Sequence, residues 1–192
     1  MSRTTLQNET VDSIKTILQA NPGTSVHGSL PCTVWTTLQF CNLKKYGAKY
    51  AKRLQKRRAE SIVMVEHFIE VAELCLDLGG EVSFEWPRYC TGWFITPLRE
   101  FIHRRNLMTV EVDGCAAGVK NSSGQPLLKP WRFLCSSERQ AASLAALKCS
   151  CTVAHGTVAG KETKPTESYP AKLCHTMLSS LFGHDLHAPA MT

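Results

Sequence analysis

The sequence predicts an α/β fold with a largely parallel sheet flanked by helices. Short runs of alternating or β-branched residues recur between longer stretches with apolar residues at three- and four-residue spacing. One long stretch, in the second half of the span 38–78, has an apolar face broad enough to call for packing against a sheet. Glycine or proline punctuates most junctions. Strands and helices in alternation build sheets whose ligands gather in loops beyond the carboxyl ends of the strands.

The elements follow in order. Val11, Ile14, Ile17 and Leu18 give a helix over 11–20, stopped by Asn21-Pro22-Gly23. The apolar stretch around Val26 reads as a strand that runs into the loop Leu30-Pro31-Cys32. A helical pattern then extends from Leu38 to Leu78, with a break expected near Gly47 and a stop at Gly79-Gly80. Val82, Phe84 and Trp86 alternate with Ser83 and Glu85, a strand closed by Pro87. Thr96-Pro97 looks like a cap followed by proline in the first turn, opening a helix to Arg105. Strands are predicted over 107–112 and 127–134, Pro130 implying that the second is an edge strand or irregular. An Ala/Leu helix over 137–148, a polar loop and a helix over 170–182 complete the order. The expectation is one domain over 1–182, with a disordered tail at 183–192.

Composition narrows the class. Hydrophobic residues make 43% of the 192 and charged residues 20%, which excludes wholesale disorder. No apolar run reaches the ~18 residues needed to span a bilayer, and the polar N-terminus lacks the apolar core of a secretory signal. The nine cysteines are odd in number and scattered, unlike a secreted disulfide scaffold. The expectation is a soluble intracellular protein with no membrane partner and free thiols.

Charge is concentrated. Net charge is +6, yet residues 43–58 alone hold Lys44, Lys45, Lys49, Lys52, Arg53, Lys56, Arg57 and Arg58 with no acid among them. A charge run is often only a solvated helix face. Here the sign is single, Tyr46 and Tyr50 are interleaved, and like charges recur at i,i+4, which disfavours a lone helix. An anionic partner offsets that repulsion, and nucleic acid, DNA first, is the expected one.

Cys149-Ser150-Cys151 followed by His155, with Cys174 or His175 later, offers ligands for tetrahedral zinc. The Cys-x-Cys spacing is tighter than the usual two to four intervening residues. The alternative is that these are structural thiols without metal.

The order of motifs resembles DNA (cytosine-5) methyltransferases, above all their divergent phage-like and mobile-element versions. Ser29-Leu30-Pro31-Cys32-Thr33 is similar to the family's Pro-Cys loop. Phe84-Glu85-Trp86-Pro87 resembles its Glu-Asn-Val or Glu-Asn-Pro phrase, with Trp86 in place of Asn. Cys115-Ala116-Ala117-Gly118, followed by Leu128-Lys129-Pro130, sits where the family has a glycine and then a basic residue entering a strand. Cys149, Cys151, His155, Tyr169-Pro170 and Leu173-Cys174 match a late Cys/His loop of divergent members.

The resemblance implies a Rossmann-like domain with S-adenosylmethionine as cofactor and catalytic roles for Cys32, Glu85 and Lys129. Methylation at carbon 5 of cytosine needs a thiolate to add at carbon 6 and an acid to contact ring nitrogen 3. The base must leave its stack to reach them. Two departures stand out: no glycine-rich cofactor loop occurs among residues 1–30, and no target-recognition domain is present. The chain therefore reads as an incomplete methyltransferase-like domain, inactive alone, whose cofactor half would come from an upstream segment or a partner chain. The alternative from another class is a non-enzymatic nucleic-acid-binding accessory protein of a mobile element with a structural Cys/His zinc site.

Overall fold

The computed structural model describes residues 3–158, 160 and 163–182, and the expected tail at 183–192 lies outside them. The chain divides into two compact units, Met1–Leu107 and Met108–Thr192, where the sequence reading draws one stretch. Strands and helices alternate as expected, but strand pairing is mixed: Val26–Ser29 with Val82–Pro87 and Leu127–Leu128 with Gly156–Thr157 are parallel, whereas the longest ladder, Met108–Asp113 with Pro130–Cys135, is antiparallel.

In the first unit, α1 (Arg3–Ala20) ends at the foreseen Asn21-Pro22-Gly23, where Asn21 Nδ2 donates to the Ile17 carbonyl at 2.9 Å. The strand β1 (Val26–Ser29) leads through Pro31-Cys32 into a 3-10 turn, Thr33–Trp35. Next comes α2 (Leu38–Asp77), which breaks at Gly47, with φ 62° and ψ −153°. That region is essentially open to glycine alone, so this residue fixes where the helix changes course. Leu54, Ser61, Val65, Phe68, Ala72 and Cys75 form the buried stripe of α2. Gly79, at φ 81°, terminates it.

The strand β2 (Val82–Pro87) pairs with β1 in the register Val26↔Val82 through Ser29↔Glu85. Its alternation suggests one polar face, yet Ser83 and Glu85 are buried at 3% and 5% exposure along with the apolar residues. A second 3-10 turn, Thr91–Phe94, precedes α3 (Thr96–Arg104), which keeps Pro97 in its first turn but takes Ile95, not Thr96, as cap. The core is aromatic. Phe84 lies 4.9 Å, centroid to centroid, from both Phe68 and Trp86 and 5.7 Å from Trp93. Ion pairs clamp the helices at the rim: Lys15 with Glu70, and Arg104 and Arg105 with Glu73, the latter also with Asp77.

In the second unit, β3 (Met108–Asp113) pairs with β5 (Pro130–Cys135) from Met108↔Cys135 to Asp113↔Pro130. The predicted strand over 127–134 is two strands, since Pro130 has no amide hydrogen to extend the ladder: β4 (Leu127–Leu128) precedes Lys129 and pairs elsewhere, with β6 (Gly156–Thr157). α4 (Glu138–Ala145) is capped by Ser137, whose side chain accepts from the Gln140 amide, and α5 (Ala171–Phe182) closes the unit. Val112, Trp131, Phe133, Leu144, Leu173 and Met177 are central in its core. No helix among the described residues is long and apolar enough to cross a membrane.

Gly80 makes a close approach that can be tested. A Cβ there would sit 2.2 Å from the Thr24 carbonyl oxygen and 2.8 Å from Cys75 Sγ. Backbone cannot yield as a flexible side chain does, so Gly80→Ala is expected to destabilise the first unit by about 1–3 kcal/mol. The check is a lowered urea midpoint at unchanged slope.

Candidate metal centre and basic helix

Two tethered loops in the second unit bring four potential ligands together. At the end of β3, Asp113 and Gly114 turn the chain so that Cys115 follows directly; the Gly114 amide donates to the Lys129 carbonyl at 2.9 Å. After α4, the Asp113 amide donates to the Leu147 carbonyl at 3.0 Å, and the Cys149 amide donates to Asp113 Oδ2 at 2.9 Å. Asp113 thus pins the start of the Cys149–His155 loop beside Cys115. The loop's far end is held by Gln125 Nε2 donating to the Ala154 carbonyl at 3.1 Å and by the β4–β6 pairing.

The result is a compact set. The sulfurs of Cys115, Cys149 and Cys151 and a ring nitrogen of His155 all lie within 4.8 Å of one another, with Cys149 Sγ 3.4 Å from His155 Nε2. These four residues could hold a metal ion. A tetrahedral zinc with Zn–S bonds of about 2.3 Å requires ligand separations of roughly 3.5–3.8 Å, which this set, all within 4.8 Å, reaches by shifts of about 1 Å or less. Burial, and then hydrogen bonding with Cys149 and Cys151, push the Cys115 thiol up to about 12. The Cys151 amide hydrogen, and then Cys115, draw the Cys149 thiol below its ordinary value.

Three of the four expected ligands, Cys149, Cys151 and His155, are therefore together. The fourth member of the set differs. Cys174 lies on α5 outside this set, and Cys115 takes the place. Spacing could not find Cys115, because the link runs through the Asp113 side chain rather than along the sequence.

In the first unit, the basic segment lies on α2. Lys44, Lys45, Lys49, Lys52, Arg53, Lys56 and Arg57 are exposed, and among the described residues none of them pairs with a carboxylate. Past Gly47, Lys49, Lys52, Arg53 and Lys56 recur at helical spacing on the side away from buried Leu54 and Ser61. Arg58 differs from the others. Its Nε donates to the Val34 carbonyl at 3.1 Å and its guanidinium stacks 5.0 Å from the Trp35 ring centroid, so it fastens the helix to the 3-10 turn.

The residues singled out by resemblance fall in both units. Register places Ser29 opposite Glu85, and Ser29 Oγ donates to Glu85 Oε2 at 3.2 Å. Cys32, half-buried, opens the turn three residues later. Burial pushes the neighbouring Cys90 thiol up to about 12, with smaller contributions from Cys32 and Glu85, so the three groups share one neighbourhood. Lys129 belongs to the second unit, where Nζ donates to the Thr166 carbonyl and lies 5.2 Å from the Trp131 ring centroid. Comparison of the chain with protein-family models, with curated proteins and with solved structures returns no match.

The four-ligand set makes a clear test. Cys115→Ser should weaken zinc binding by at least the roughly 10–100-fold that loss of a mere outer partner costs. Cys174→Ser should leave it unchanged. Competition titration against a chromophoric chelator reads both, and affinity should rise with pH because the thiols must shed protons to bind.

Proposed function

We propose that the protein binds nucleic acid through the basic helix of its first unit, while a structural zinc ion at Cys115, Cys149, Cys151 and His155 staples its second. The observation that carries the reading is the row of seven exposed cations on α2 without a carboxylate partner among the described residues. Cations left at helical spacing without counter-charges repel one another, and a polyphosphate backbone removes that cost while releasing its own counterions. A Cys3His set favours zinc among common metals, and a closed four-ligand site serves structure rather than catalysis.

A second reading keeps the methyltransferase resemblance, with its Rossmann-like fold and S-adenosylmethionine supplied from elsewhere. It is favoured by one observation: β1 and β2 are parallel neighbours, so the Pro31-Cys32 loop and Glu85 lie at the same end of the pair. A buried glutamate held by Ser29 and a half-buried cysteine, both near Cys90, supply the groups needed to add a thiolate to a pyrimidine and contact its ring nitrogen. DNA containing 5-fluorocytosine, offered with S-adenosylmethionine and a complementing cofactor domain, should be captured covalently by the wild-type chain and not by Cys32→Ser. Absence of any adduct would remove this reading and leave the binding function standing.

The binding function has its own measurement. Replacing Lys52, Arg53, Lys56 and Arg57 with Gln should lower affinity for all sequences alike. It should also reduce the slope of log affinity against log salt by up to about 2.8–3.6, at 0.7–0.9 for each of four phosphate contacts. An unchanged slope would mean that these charges are only a solvated face.

A further inference from the structure

We propose that the strand bound by the first unit is single, with its bases stacked on the exposed rings of Phe40, Tyr46, Tyr89 and Phe94; this rests on the nucleic-acid reading above. These rings are 62%, 54%, 68% and 70% exposed in a unit that buries Trp35, Phe68, Phe84, Trp86 and Trp93 almost completely. Scattered exposed apolar residues are ordinary on protein surfaces. These four are not scattered over unrelated elements. Phe40 and Tyr46 lie in the first part of α2, immediately before the Gly47 break, and Tyr89 and Phe94 lie in the segment between β2 and α3.

Both segments are tied to one place, the 3-10 turn Thr33–Trp35. Gln39 Nε2 donates to the Thr33 carbonyl at 2.7 Å, and Thr91 Oγ1 donates to the Trp35 carbonyl at 2.8 Å. Arg58 reaches the Val34 carbonyl from the far end of the basic run. The rings and the cations are therefore carried by elements anchored to the same turn. Lys45 lies 5.1 Å from the Tyr46 ring centroid and Arg88 lies 5.8 Å from that of Tyr89, so positive charge accompanies rings from both segments.

This combination discriminates between nucleic-acid forms. A cationic track neutralises phosphates whether the nucleic acid is single or double. Exposed rings gain only from bases whose faces are free, and in a duplex those faces are stacked on each other. Rings on two separate segments also differ from the continuous apolar stripe with which a helix lies in a membrane surface.

The test uses the full chain with zinc present and a fluorescein-labelled mixed-sequence 20-nucleotide strand, alone or annealed to its complement. Anisotropy titration should give tighter binding to the single strand. Phe40→Ala and Phe94→Ala, both at sites too exposed to hold the core, should each weaken it by about fivefold or more, the lower bound for a stacked base. Duplex affinity and the salt slope should not move. Equal affinity for both forms, or ring variants that bind the single strand like wild type, would overturn the inference while leaving the nucleic-acid reading in place. That reading itself is tested by the salt slope of the Lys52/Arg53/Lys56/Arg57→Gln variant, which should fall and would refute it if unchanged, so the two failures are distinguishable. Ring-dependent binding to vesicles of anionic phospholipid at comparable affinity would overturn the inference in favour of a membrane surface.

Discussion

Three consecutive carbonyl groups, those of Thr33, Val34 and Trp35, organise the first unit's exposed basic and aromatic segments. Each accepts a side-chain donor from a different stretch: Gln39 at the start of α2, Arg58 at the far end of the basic run, and Thr91 after β2. The turn is also anchored from within, since Trp35 Nε1 donates to Ser61 Oγ at 2.9 Å. Neutral hydrogen bonds contribute about 0.5–1.5 kcal/mol each, and the bond from a charged donor about 1.5–3 kcal/mol. Their sum matters less than their common address. A loop that begins at Pro31-Cys32 is held in one conformation, and the basic helix and the aromatic segment are placed by the same few atoms.

Much of this fold is legible in the sequence. The stop at Asn21-Pro22-Gly23, the interruption at Gly47, the strand ended by Pro87 and an irregularity at Pro130 all rest on glycine or proline restricting the backbone, which is a local rule; that Pro130 divides the stretch into two strands with different partners is not. Pairing is not local. Nothing in Met108–Asp113 announces that it will lie antiparallel to Pro130–Cys135, so the expected parallel sheet is met only in part. The short β6 and the first unit's 3-10 turns at Thr33–Trp35 and Thr91–Phe94 also escape, because runs of two to four residues carry no period to read. Glu85 illustrates the same limit: alternation marks it as a polar-face residue, whereas burial on both faces of β2 is decided by neighbours far along the chain.

The candidate metal set divides along the same line. Cys149, Cys151 and His155 are close in sequence and read together. Cys115 joins them because Asp113 accepts from the Cys149 amide, a side-chain contact between segments 36 residues apart. That contact gives the second unit its logic. Cys149 and Cys151 are exposed, so their proximity is not enforced by a core; a shared cation would fix it, and binding free energy at such a site adds directly to folding free energy.

The claim on which the functional picture turns is that the surface around the Thr33–Trp35 turn meets nucleic acid. Photocrosslinking to a strand carrying 5-bromouracil, followed by mass spectrometry of the linked peptides, locates the contact without relying on any variant. The surface described here predicts adducts confined to residues 38–58 and 88–94, with the rings of Phe40, Tyr46, Tyr89 and Phe94 as acceptors. Adducts concentrated in residues 108–182 would contradict it.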